Sequence, residues 1–375
     1  MRALVVGGGI GGLATAIALA QAGHEPLVFE RASALEAVGA GIALSPNAVA
    51  ALERVGVADE VRRRGYAPRH ALVLNRRGRV LSELPYAERG WEMLGVHRAD
   101  LQEALVGALP EEALRLRTAC TGFERLDGRV RVRLADGGTE EGDVLVGADG
   151  IHSVVRSGLF GDSELRYSGH SAWRAVTERL PSVSDERFSE SWGPGARFGL
   201  VPIGGGRLYW FVAEDAPEGA PAPDVPLEHL RRRFADWHDP IPAVLDATDE
   251  SSLSRTFVYD RRPSKRWGEG RVTLLGDAAH PMTPNLGQGA AQALEDAVVL
   301  GAELGRGGDA EEALRRYERR RLRRANAIVR QSFQAGRVAQ LASPRACAVR
   351  DFVVRALPDR LAAAQQARVF RTQLD

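Results

Sequence analysis

The stretch Val5-Val6-Gly7-Gly8-Gly9-Ile10-Gly11-Gly12-Leu13 decides the fold of this chain, because it places a glycine-rich turn between an apolar strand and a helix. The hydrophobic pattern predicts a strand over residues 2–6, a helix over 10–22 that ends at Gly23, and a second strand over 26–30. A strand, a glycine turn, a helix and a second strand in this order open a dinucleotide-binding fold.

Three of these glycines have the G-x-G-x-x-G spacing of a phosphate-binding turn. Gly7 permits the tight turn, Gly9 lets a pyrophosphate approach the backbone, and Gly12 allows the helix to pack closely on the strand. Gly11 lies in the same turn and is also expected to contact the cofactor. The phosphates would lie at the helix N-terminus, where backbone N–H groups are unpaired. A glycine turn that binds nothing is the alternative.

An acidic residue ends the second predicted strand. Glu30 lies 18 residues beyond Gly12 and can accept hydrogen bonds from both ribose hydroxyls of an adenosine. A carboxylate at this position favours a 2′-hydroxyl over a 2′-phosphate, so FAD or NAD suits the site better than NADP. We expect Arg31, the next residue, to lie at the same adenosine end. This motif alone does not separate FAD from NAD.

Two further stretches have the same character. The first is the apolar run at 143–150 that ends in Ala148-Asp149-Gly150 and continues to Arg156. The second, at 272–281, includes most of a strand predicted over 270–277, ends in Gly276-Asp277-Ala278-Ala279-His280-Pro281 and continues through the glycine-containing segment 285–289. A nucleotide fold arising by chance explains the first motif at 5–13, but not all three motifs in this order.

The order of the three motifs makes the sequence resemble the single-component flavoprotein aromatic hydroxylases, the p-hydroxybenzoate hydroxylase-like monooxygenases, over nearly the whole chain. The resemblance implies that the dinucleotide is FAD and that Asp277 hydrogen-bonds its ribityl chain. It also implies that Arg98 contacts FAD and that Asp149 braces the pyrophosphate. The alternatives are an exposed arginine at a helix start for Arg98 and a strand-to-turn cap for Asp149.

The hydrophobic pattern predicts helices over 288–304 and 310–339. The same resemblance places the loop before the first of these helices beside the flavin ring. Backbone N–H groups in this loop would stabilise negative charge on the reduced flavin. The remaining expected cofactor contacts are Ala43, Cys120, Pro284, Gly287, Gln288, Gly289 and Ala290.

Short alternating runs between 167 and 259 predict an antiparallel sheet, which would cover the flavin and keep water away. The aromatic candidates for its flavin-facing side are Trp173, Phe198, Tyr209 and Trp210. Each of them is also a plausible core residue.

Arg197 and Tyr209 are the predicted catalytic residues. They lie on neighbouring predicted strands and are expected to contact the substrate. The pair resembles the Arg and Tyr that address substrate in FAD-dependent urate hydroxylase. That enzyme carries Asn and Asp where this chain has Ala172 and Asn285, which argues against urate itself. The alternative role for Arg197 and Tyr209 is structural.

We therefore predict an α/β fold: a Rossmann-like three-layer FAD-binding domain with an inserted β-rich substrate domain and C-terminal helices. The FAD-binding domain is expected at 1–70, 97–165 and 266–340, the substrate domain at 71–96 and 166–265, and the C-terminal helical segment at 341–375.

Composition excludes several other classes. A net charge of +1 over 375 residues gives no whole-molecule field for nucleic acid or an anionic membrane, and we expect neither partner. No apolar run reaches the roughly 18–20 residues of a membrane span, so a cytoplasmic monomer or homodimer is expected. Cys120 and Cys347 have no metal or redox spacing and should be reduced thiols. His280 has no second ligand cluster, so we expect it to be structural and expect no metal site.

The expected reaction is hydroxylation of a small aromatic or heteroaromatic substrate with NAD(P)H and O2, through a flavin hydroperoxide, as the resemblance implies. No second phosphate-binding glycine pattern is present, which fits transient binding of the nicotinamide cofactor and leaves NADH against NADPH open. The alternatives are a redox-neutral or oxidase-type flavoprotein on the same scaffold and a non-enzymatic NAD-binding sensor.

Overall fold

The computed structural model describes residues 1–35, 40–372 and 374. The strands are β1 (Arg2–Val6), β2 (Glu25–Phe29), β3 (Gly41–Leu44), β4 (His70–Asn75), β5 (Val80–Pro85), β6 (Leu94–His97), β7 (Leu114–Arg115), β8 (Cys120–Arg125), β9 (Val130–Leu134), β10 (Thr139–Gly142), β11 (Val144–Gly147), β12 (Arg166–Glu178), β13 (Arg187–Gly193), β14 (Ala196–Ile203), β15 (Arg207–Asp215), β16 (Ser254–Asp260) and β17 (Val272–Leu274). The α-helices are α1 (Ile10–Gln21), α2 (Pro46–Arg54), α3 (Ala58–Arg64), α4 (Arg98–Val106), α5 (Val154–Phe160), α6 (Pro226–Phe234), α7 (Ile241–Asp246), α8 (Gly289–Gly305), α9 (Ala310–Ala339), α10 (Pro344–Ala356) and α11 (Asp359–Phe370).

A five-stranded parallel sheet, in the order β17-β11-β1-β2-β7, forms the centre of the first half of the molecule. Its strands are short apolar runs because both faces are covered, as is usual for parallel sheets. One large core joins these strands to α1, α2 and α8 and includes valines of β9 in the three-stranded sheet β10-β9-β8.

Helices α1 and α8 pack side by side and run in the same direction. Gly11 faces Ala293 near their N-termini, and Gly301 faces Ala18 one to two turns further along. Small residues at these positions allow the helix backbones to approach closely. The two N-termini therefore lie together at the same end of the parallel sheet.

The second half is a seven-stranded sheet in the order β16-β12-β15-β14-β13-β4-β5. All pairings among β12 to β16 are antiparallel, as predicted for residues 167–259, but the sheet extends beyond that range, because β4 lies parallel to β13. β4 and β5 come from residues 70–85, about a hundred residues before β13. Local alternation cannot reveal such a long-range pairing.

The two faces of this sheet have different partners. One face packs against α6 and α7 in its own core, which includes Trp173, Phe198 and Trp210. The opposite face, with Val201, Ile203 and Tyr209, packs against Ala43 of β3. The short β3–β6 ribbon thus joins this sheet to the parallel-sheet half.

Candidate functional site

The glycine turn after β1 has the geometry that its sequence predicts. Gly7 has a φ of 109°, a region that favours glycine, and a side chain there would overlap the carbonyl of Ala148. A Cβ on Gly12 would overlap the carbonyl oxygen of Gly7, so close packing explains this position. Gly9 has ordinary extended dihedrals (φ −76°, ψ 179°) and open space around it. Gly9 therefore borders a crevice rather than a packed contact.

The N-terminus of α8 opens onto the same end of the molecule. Gly287 has a φ of 60°, and both Gly287 and Gly289 face open space. Within the described part of the chain, no side chain caps α1 or α8. Backbone N–H groups at two adjacent helix starts are thus available to an anionic group, and both helix dipoles favour one.

Asp277 lies in this crevice, in the turn that follows β17. Its side chain is reached by solvent, although protein surrounds it on most sides. This partial dehydration raises the pKa of Asp277 above its ordinary value of 3.8, while His280 and the exposed Arg98 attract the ionised form and oppose the rise. The third motif and the start of α4 therefore meet at a recessed carboxylate.

The predicted strand at 270–277 is wrong in its length. β17 ends at Leu274, and Gly276, with a φ of 58°, begins a single 3-10 turn that carries Asp277. The N–H of Gly276 donates to the carboxylate of buried Asp296 at 3.1 Å instead of continuing a sheet ladder. This bond turns the chain so that the Asp277 side chain leaves the sheet edge.

The middle motif supports this turn rather than facing the crevice directly. The guanidinium of Arg156, which is buried, donates to the carbonyls of Ala278 and Ala279 at 3.1 and 3.4 Å. Asp149 accepts from the Ser153 hydroxyl at 2.5 Å and from the N–H of Val154 at 2.7 Å. Asp149 is thus the strand-to-turn cap that the sequence offered as an alternative, and its predicted contact with FAD stays a prediction.

Glu30 lies beside the glycine turn, where its predicted role requires it. Its carboxylate accepts from the N–H groups of Gly8 at 2.7 Å and Ala32 at 2.8 Å. Each carboxylate oxygen keeps a further lone pair for a ribose hydroxyl. The exposed Arg31 follows directly.

Two further predicted cofactor contacts, Cys120 and Ala43, lie outside the three motifs. Cys120 begins β8, and burial raises the pKa of its thiol to about 11, so the thiol is protonated at neutral pH. Ala43 is half-buried in β3, between the crevice side and the seven-stranded sheet. Their contacts with FAD remain predictions.

The side chain of Gln288 is not free to face a cofactor. It is fully buried, donates to the Ser45 hydroxyl at 2.9 Å and accepts from the Asn47 amide at 3.0 Å. Only its backbone can contribute to the crevice, together with the backbone of Pro284 and Ala290 on either side.

A buried polar network underlies the crevice, and no local sequence pattern indicated it. Asp296 accepts from His280 at 2.6 Å and from Arg321 at 2.7 Å, and Arg321 also bonds Glu295 at 2.5 Å. Burial alone would raise the pKa of Asp296, but the attraction of His280 and Arg321 outweighs it and lowers the pKa to about 2. His280 is structural, as expected, and its ring packs on Trp267.

On the seven-stranded sheet, three of the four aromatic candidates are core residues, the alternative that the sequence left open. Trp173, Phe198 and Trp210 point away from the crevice and pack against α6 and α7. Only Tyr209 faces β3, where its ring lies directly on Gly41. Alternation with period two identifies the two faces of a strand but not which face meets the other half of the molecule.

Arg197 lies on the same face as Tyr209, but each of its three guanidinium nitrogens already donates a hydrogen bond. It donates to Gln340 at 2.8 Å, Glu190 at 2.9 Å and Asn285 at 2.7 Å. Arg197 is also only 3% exposed, so it ties β14 to α9 and to the loop before α8.

The structure does not bring Arg197 and Tyr209 together at one point. Arg197 pairs with Ala213 across β14 and β15, whereas Tyr209 pairs with Val201. Four residues along a strand correspond to about 13 Å. A small substrate at Tyr209 would therefore meet Arg197 only through its partners.

A cavity of about 610 Å³ lies beside these partners, between the ends of β12 and β15 and the end of α9. Asn285 and Gln340, two of the acceptors of Arg197, form part of its wall. His170 also lines it, and burial together with the charge of Arg197 lowers the pKa of His170 to about 4.

An apolar cluster that the sequence did not predict lies between the sheet and the C-terminal helices. Phe370 of α11 packs edge-on against Trp91, at 5.3 Å between ring centroids, and against Tyr86. The cluster also includes Met93 and reaches Ala43. Its members are far apart in sequence, which explains why no local pattern indicated it.

Two kinds of feature are absent from the described ranges 1–35, 40–372 and 374: a metal-binding cluster and a membrane-spanning helix. No group of three or more His, Cys, Asp and Glu side chains there is arranged to hold a metal ion. No helix in those ranges combines the length and the apolar character that a membrane crossing requires.

Comparison with known proteins gives one family and several close relatives. A model of the FAD binding domain matches residues 1–332. The chain is 44% identical over 360 residues to aurachin C monooxygenase/isomerase of Stigmatella aurantiaca, which covers 95% of this chain and 94% of that protein. It is 38% identical over 374 residues to 3-amino-4-hydroxybenzoate 2-monooxygenase of Streptomyces cremeus, with coverages of 96% and 93%.

Solved structures show the same architecture. HpxO of Klebsiella pneumoniae, complexed with FAD and uric acid, has a TM-score of 0.93 and 30% sequence identity to this chain. The match covers 99% of this chain and 96% of that one.

Proposed function

Because this chain belongs to the FAD-binding family of flavoprotein aromatic hydroxylases, we propose that it uses NADH or NADPH and O2 to hydroxylate a small aromatic or heteroaromatic compound. Family membership confirms the predicted fold class, FAD as the cofactor and the monooxygenase class. The reductant, the substrate and the residues that serve them are our proposal.

One observation carries the proposal: a glycine-lined crevice with a recessed, solvent-reached carboxylate lies beside an apolar sheet face. We propose that Gly9 and the start of α1 hold the pyrophosphate and that Glu30 and Arg31 hold the adenosine end. Asp277 and Arg98 then take the ribityl region, and backbone N–H groups from Gly287 to Ala290 face the ring.

When bound, FAD supplies the electron transfer and oxygen activation. The protein supplies binding, orientation and the exclusion of water. We propose that the face of the seven-stranded sheet around Tyr209 and Ala43 covers the reacting centre. That face is suited to the task because Val201, Ile203 and Tyr209 are buried there as an apolar cluster.

The proposed substrate class draws support from two relatives. One is a 3-amino-4-hydroxybenzoate 2-monooxygenase, and the other, HpxO, was solved in complex with uric acid. Tyr209 is the better placed of the two proposed substrate contacts, because its ring packs on Gly41 of β3, beside the crevice. Arg197 is less well placed, because it is only 3% exposed and each of its guanidinium nitrogens already donates to a protein acceptor.

The test is product formation by the FAD-loaded protein under ¹⁸O₂. A panel of aromatic and heteroaromatic compounds is first screened for those that accelerate NADH or NADPH oxidation, with peroxide measured in parallel. We expect at least one compound to give product that contains one ¹⁸O atom. Product without ¹⁸O would instead favour a redox-neutral or oxidase-type flavoprotein, and NAD(P)H oxidation that yields only peroxide with every compound would count against the proposed substrate class.

A further inference from the structure

The C-terminal helices carry an apolar surface that packs against nothing in the described chain. Val349, Phe352 and Val353 of α10 are 65%, 72% and 57% exposed. Their i, i+3, i+4 spacing places them on one side of the helix, while Cys347 and Arg350 face the protein. We call Val349, Phe352 and Val353 the α10 stripe. Large apolar side chains grouped in this way mark an interaction surface more often than isolated ones do.

The same segment concentrates positive charge. Residues 337–372 contain seven Arg and two Asp, a net charge of +5, although the whole chain carries only +1. Arg345, Arg355 and Arg360 are exposed and form no ion pair with another described residue. The remainder of the chain is therefore net negative, and the charge of the molecule is strongly asymmetric.

We propose that the α10 stripe and its flanking arginines dock on the surface of an anionic phospholipid bilayer. A helix that combines an apolar side with arginines at its margins lies in the headgroup region, with its apolar side chains inserted and its cations beside lipid phosphates. This docking is peripheral. The expectation of no membrane partner rested on whole-chain charge, which conceals this local excess.

Charge also disfavours the main competing occupant, a second copy of this chain. Two copies joined through the α10 stripe would bring Arg345 and Arg355 of one against the same residues of the other. Like charges facing each other across an interface oppose association. A surface of lipid phosphates instead complements them.

The docking surface adjoins the substrate side of the molecule. Helix α11, which follows the stripe after a break at Pro358, ends at Phe370 in the apolar cluster that reaches Ala43. Docking would thus hold this cluster close to the bilayer. The proposal does not depend on the proposed reaction, because its test measures binding alone.

The test is flotation of the FAD-loaded protein with vesicles of phosphatidylcholine alone or mixed with a quarter of phosphatidylglycerol. We expect binding to the anionic vesicles that weakens with salt, and little binding to the neutral ones. The triple variant Val349→Ser, Phe352→Ser, Val353→Ser should bind at least tenfold more weakly. Changing Arg345, Arg355 and Arg360 to Gln should weaken binding by roughly fivefold for each charge removed.

The matched control is Leu116→Ser with Val225→Ser, two apolar side chains that are 37% and 46% exposed and lie outside the C-terminal helices and β5. This control should bind as the wild type does. A second measurement keeps the test valid if the triple variant fails to fold. In Phe352→Trp, brominated lipid should quench the tryptophan fluorescence more strongly than it does in the wild type. No binding of the wild type to anionic vesicles would overturn the proposal. So would a wild-type dimer in light scattering that the triple variant converts to monomer.

Discussion

Asp277 and Asp296 both interact electrostatically with His280, yet their surroundings are opposite. Asp277 is reached by solvent in the crevice, and the surrounding protein raises its pKa by dehydration, against the attraction of His280 and Arg98. Asp296 is fully buried, and His280 and Arg321 lower its pKa to about 2 despite that burial. Two carboxylates on adjoining elements therefore differ in whether their hydrogen-bonding capacity is already filled.

The difference separates a group that holds the fold together from one that is available to a ligand. Arg321 pairs with both Asp296 and Glu295. Loss of Arg321 would leave these two buried carboxylates with only the flanking charges of His280 and Arg324. Asp277 has an electrostatic neighbour in Arg98 but keeps acceptor capacity toward the crevice. Arg98 and Arg197 differ in the same way. Arg98 is exposed, whereas Arg197 is buried and each of its guanidinium nitrogens already donates a hydrogen bond.

The largest effect should come from the buried network. Replacing Arg321 by Met leaves Asp296 and Glu295 without their main cation, and we expect the free energy of unfolding to fall by about 3–5 kcal/mol. Urea unfolding of the apoprotein measures this. Arg319→Met, on the exposed side of α9 where Arg319 pairs with Glu312, is the control and should change stability by less than about 1 kcal/mol. An equally small effect for Arg321→Met would refute the comparison.

Asp277→Asn should act on binding and not on the fold. Loss of charged hydrogen bonds, worth about 1.5–3 kcal/mol, predicts FAD binding weaker by roughly 10- to 100-fold. The apoprotein should be as stable as the wild type or slightly more stable at pH 7, because the raised pKa means that ionisation of Asp277 disfavours folding. FAD titration by fluorescence quenching and apoprotein melting give the two numbers, with exposed Asp127→Asn as the control. A destabilised apoprotein with unchanged FAD affinity would reverse the assignment.

Arg197→Ala tests whether Arg197 holds the fold together or is available to a substrate. Because its three acceptors lose their donor, we expect a loss of about 1–3 kcal/mol of stability, with hydroxylation and flavin content reduced together. If Arg197 addresses substrate, hydroxylation should fall much more than flavin content. Tyr209→Phe is the companion variant, since it keeps the packing on Gly41 while removing the hydroxyl.

Gly12 and Gly9 of the first turn should also differ in whether their substitution affects the stability of the fold or the binding of FAD. Gly12→Ala forces a methyl group onto the carbonyl of Gly7, and we expect about 1–3 kcal/mol of destabilisation from overpacking. Gly9→Ala meets open space with compatible dihedrals, so the apoprotein should keep its stability while FAD binds more weakly. Thermal melting without and with FAD distinguishes them. Equal apoprotein melting temperatures for the two variants would show that the turn is less tightly packed than described.

The smallest effect is a dependence on pH. Asp296 has a folded-state pKa of about 2, below its ordinary value of 3.8, so its stabilisation is complete above about pH 4 and is lost as pH falls toward 2. The stability difference between wild type and Asp296→Asn should therefore shrink across that window. Asp277 has the opposite sign, because its ionisation with rising pH disfavours folding. Urea midpoints at several pH values measure both, and a difference for Asp296→Asn that stays constant would contradict the assigned pKa.

Where local patterns dominate, sequence and structure agree closely. The predicted strand at 2–6 and the predicted helix at 310–339 have the bounds of β1 and α9. Asp309 caps α9 by accepting from the N–H of Glu312 at 2.9 Å. The glycines of the first turn were also interpretable, since each requirement on them arises within a few residues of chain.

Where contacts are long-range, the sequence was insufficient. The bond from Gly276 to Asp296 shortened the strand expected at 270–277, and the pairing of β4 with β13 altered the sheet. The aromatic residues of β12 to β15 showed two faces without showing which one meets β3. The tie of Arg197 to Asn285 and Gln340 depends on residues 88 and 143 positions away, so no spacing could indicate it.

The amino-acid sequence by itself determined the dinucleotide turn, its acidic partner Glu30, the order of the three motifs and, through their resemblance, the flavoprotein family. These features depend on backbone conformation and short-range hydrogen bonding, which a few consecutive residues specify. Only the tertiary structure decided that Asp277 stays open while Asp296 is saturated, that Tyr209 faces β3 while Trp210 does not, and that α10 exposes its apolar stripe. Burial and the filling of hydrogen-bonding capacity are properties of the packed chain, because each depends on which distant side chains arrive.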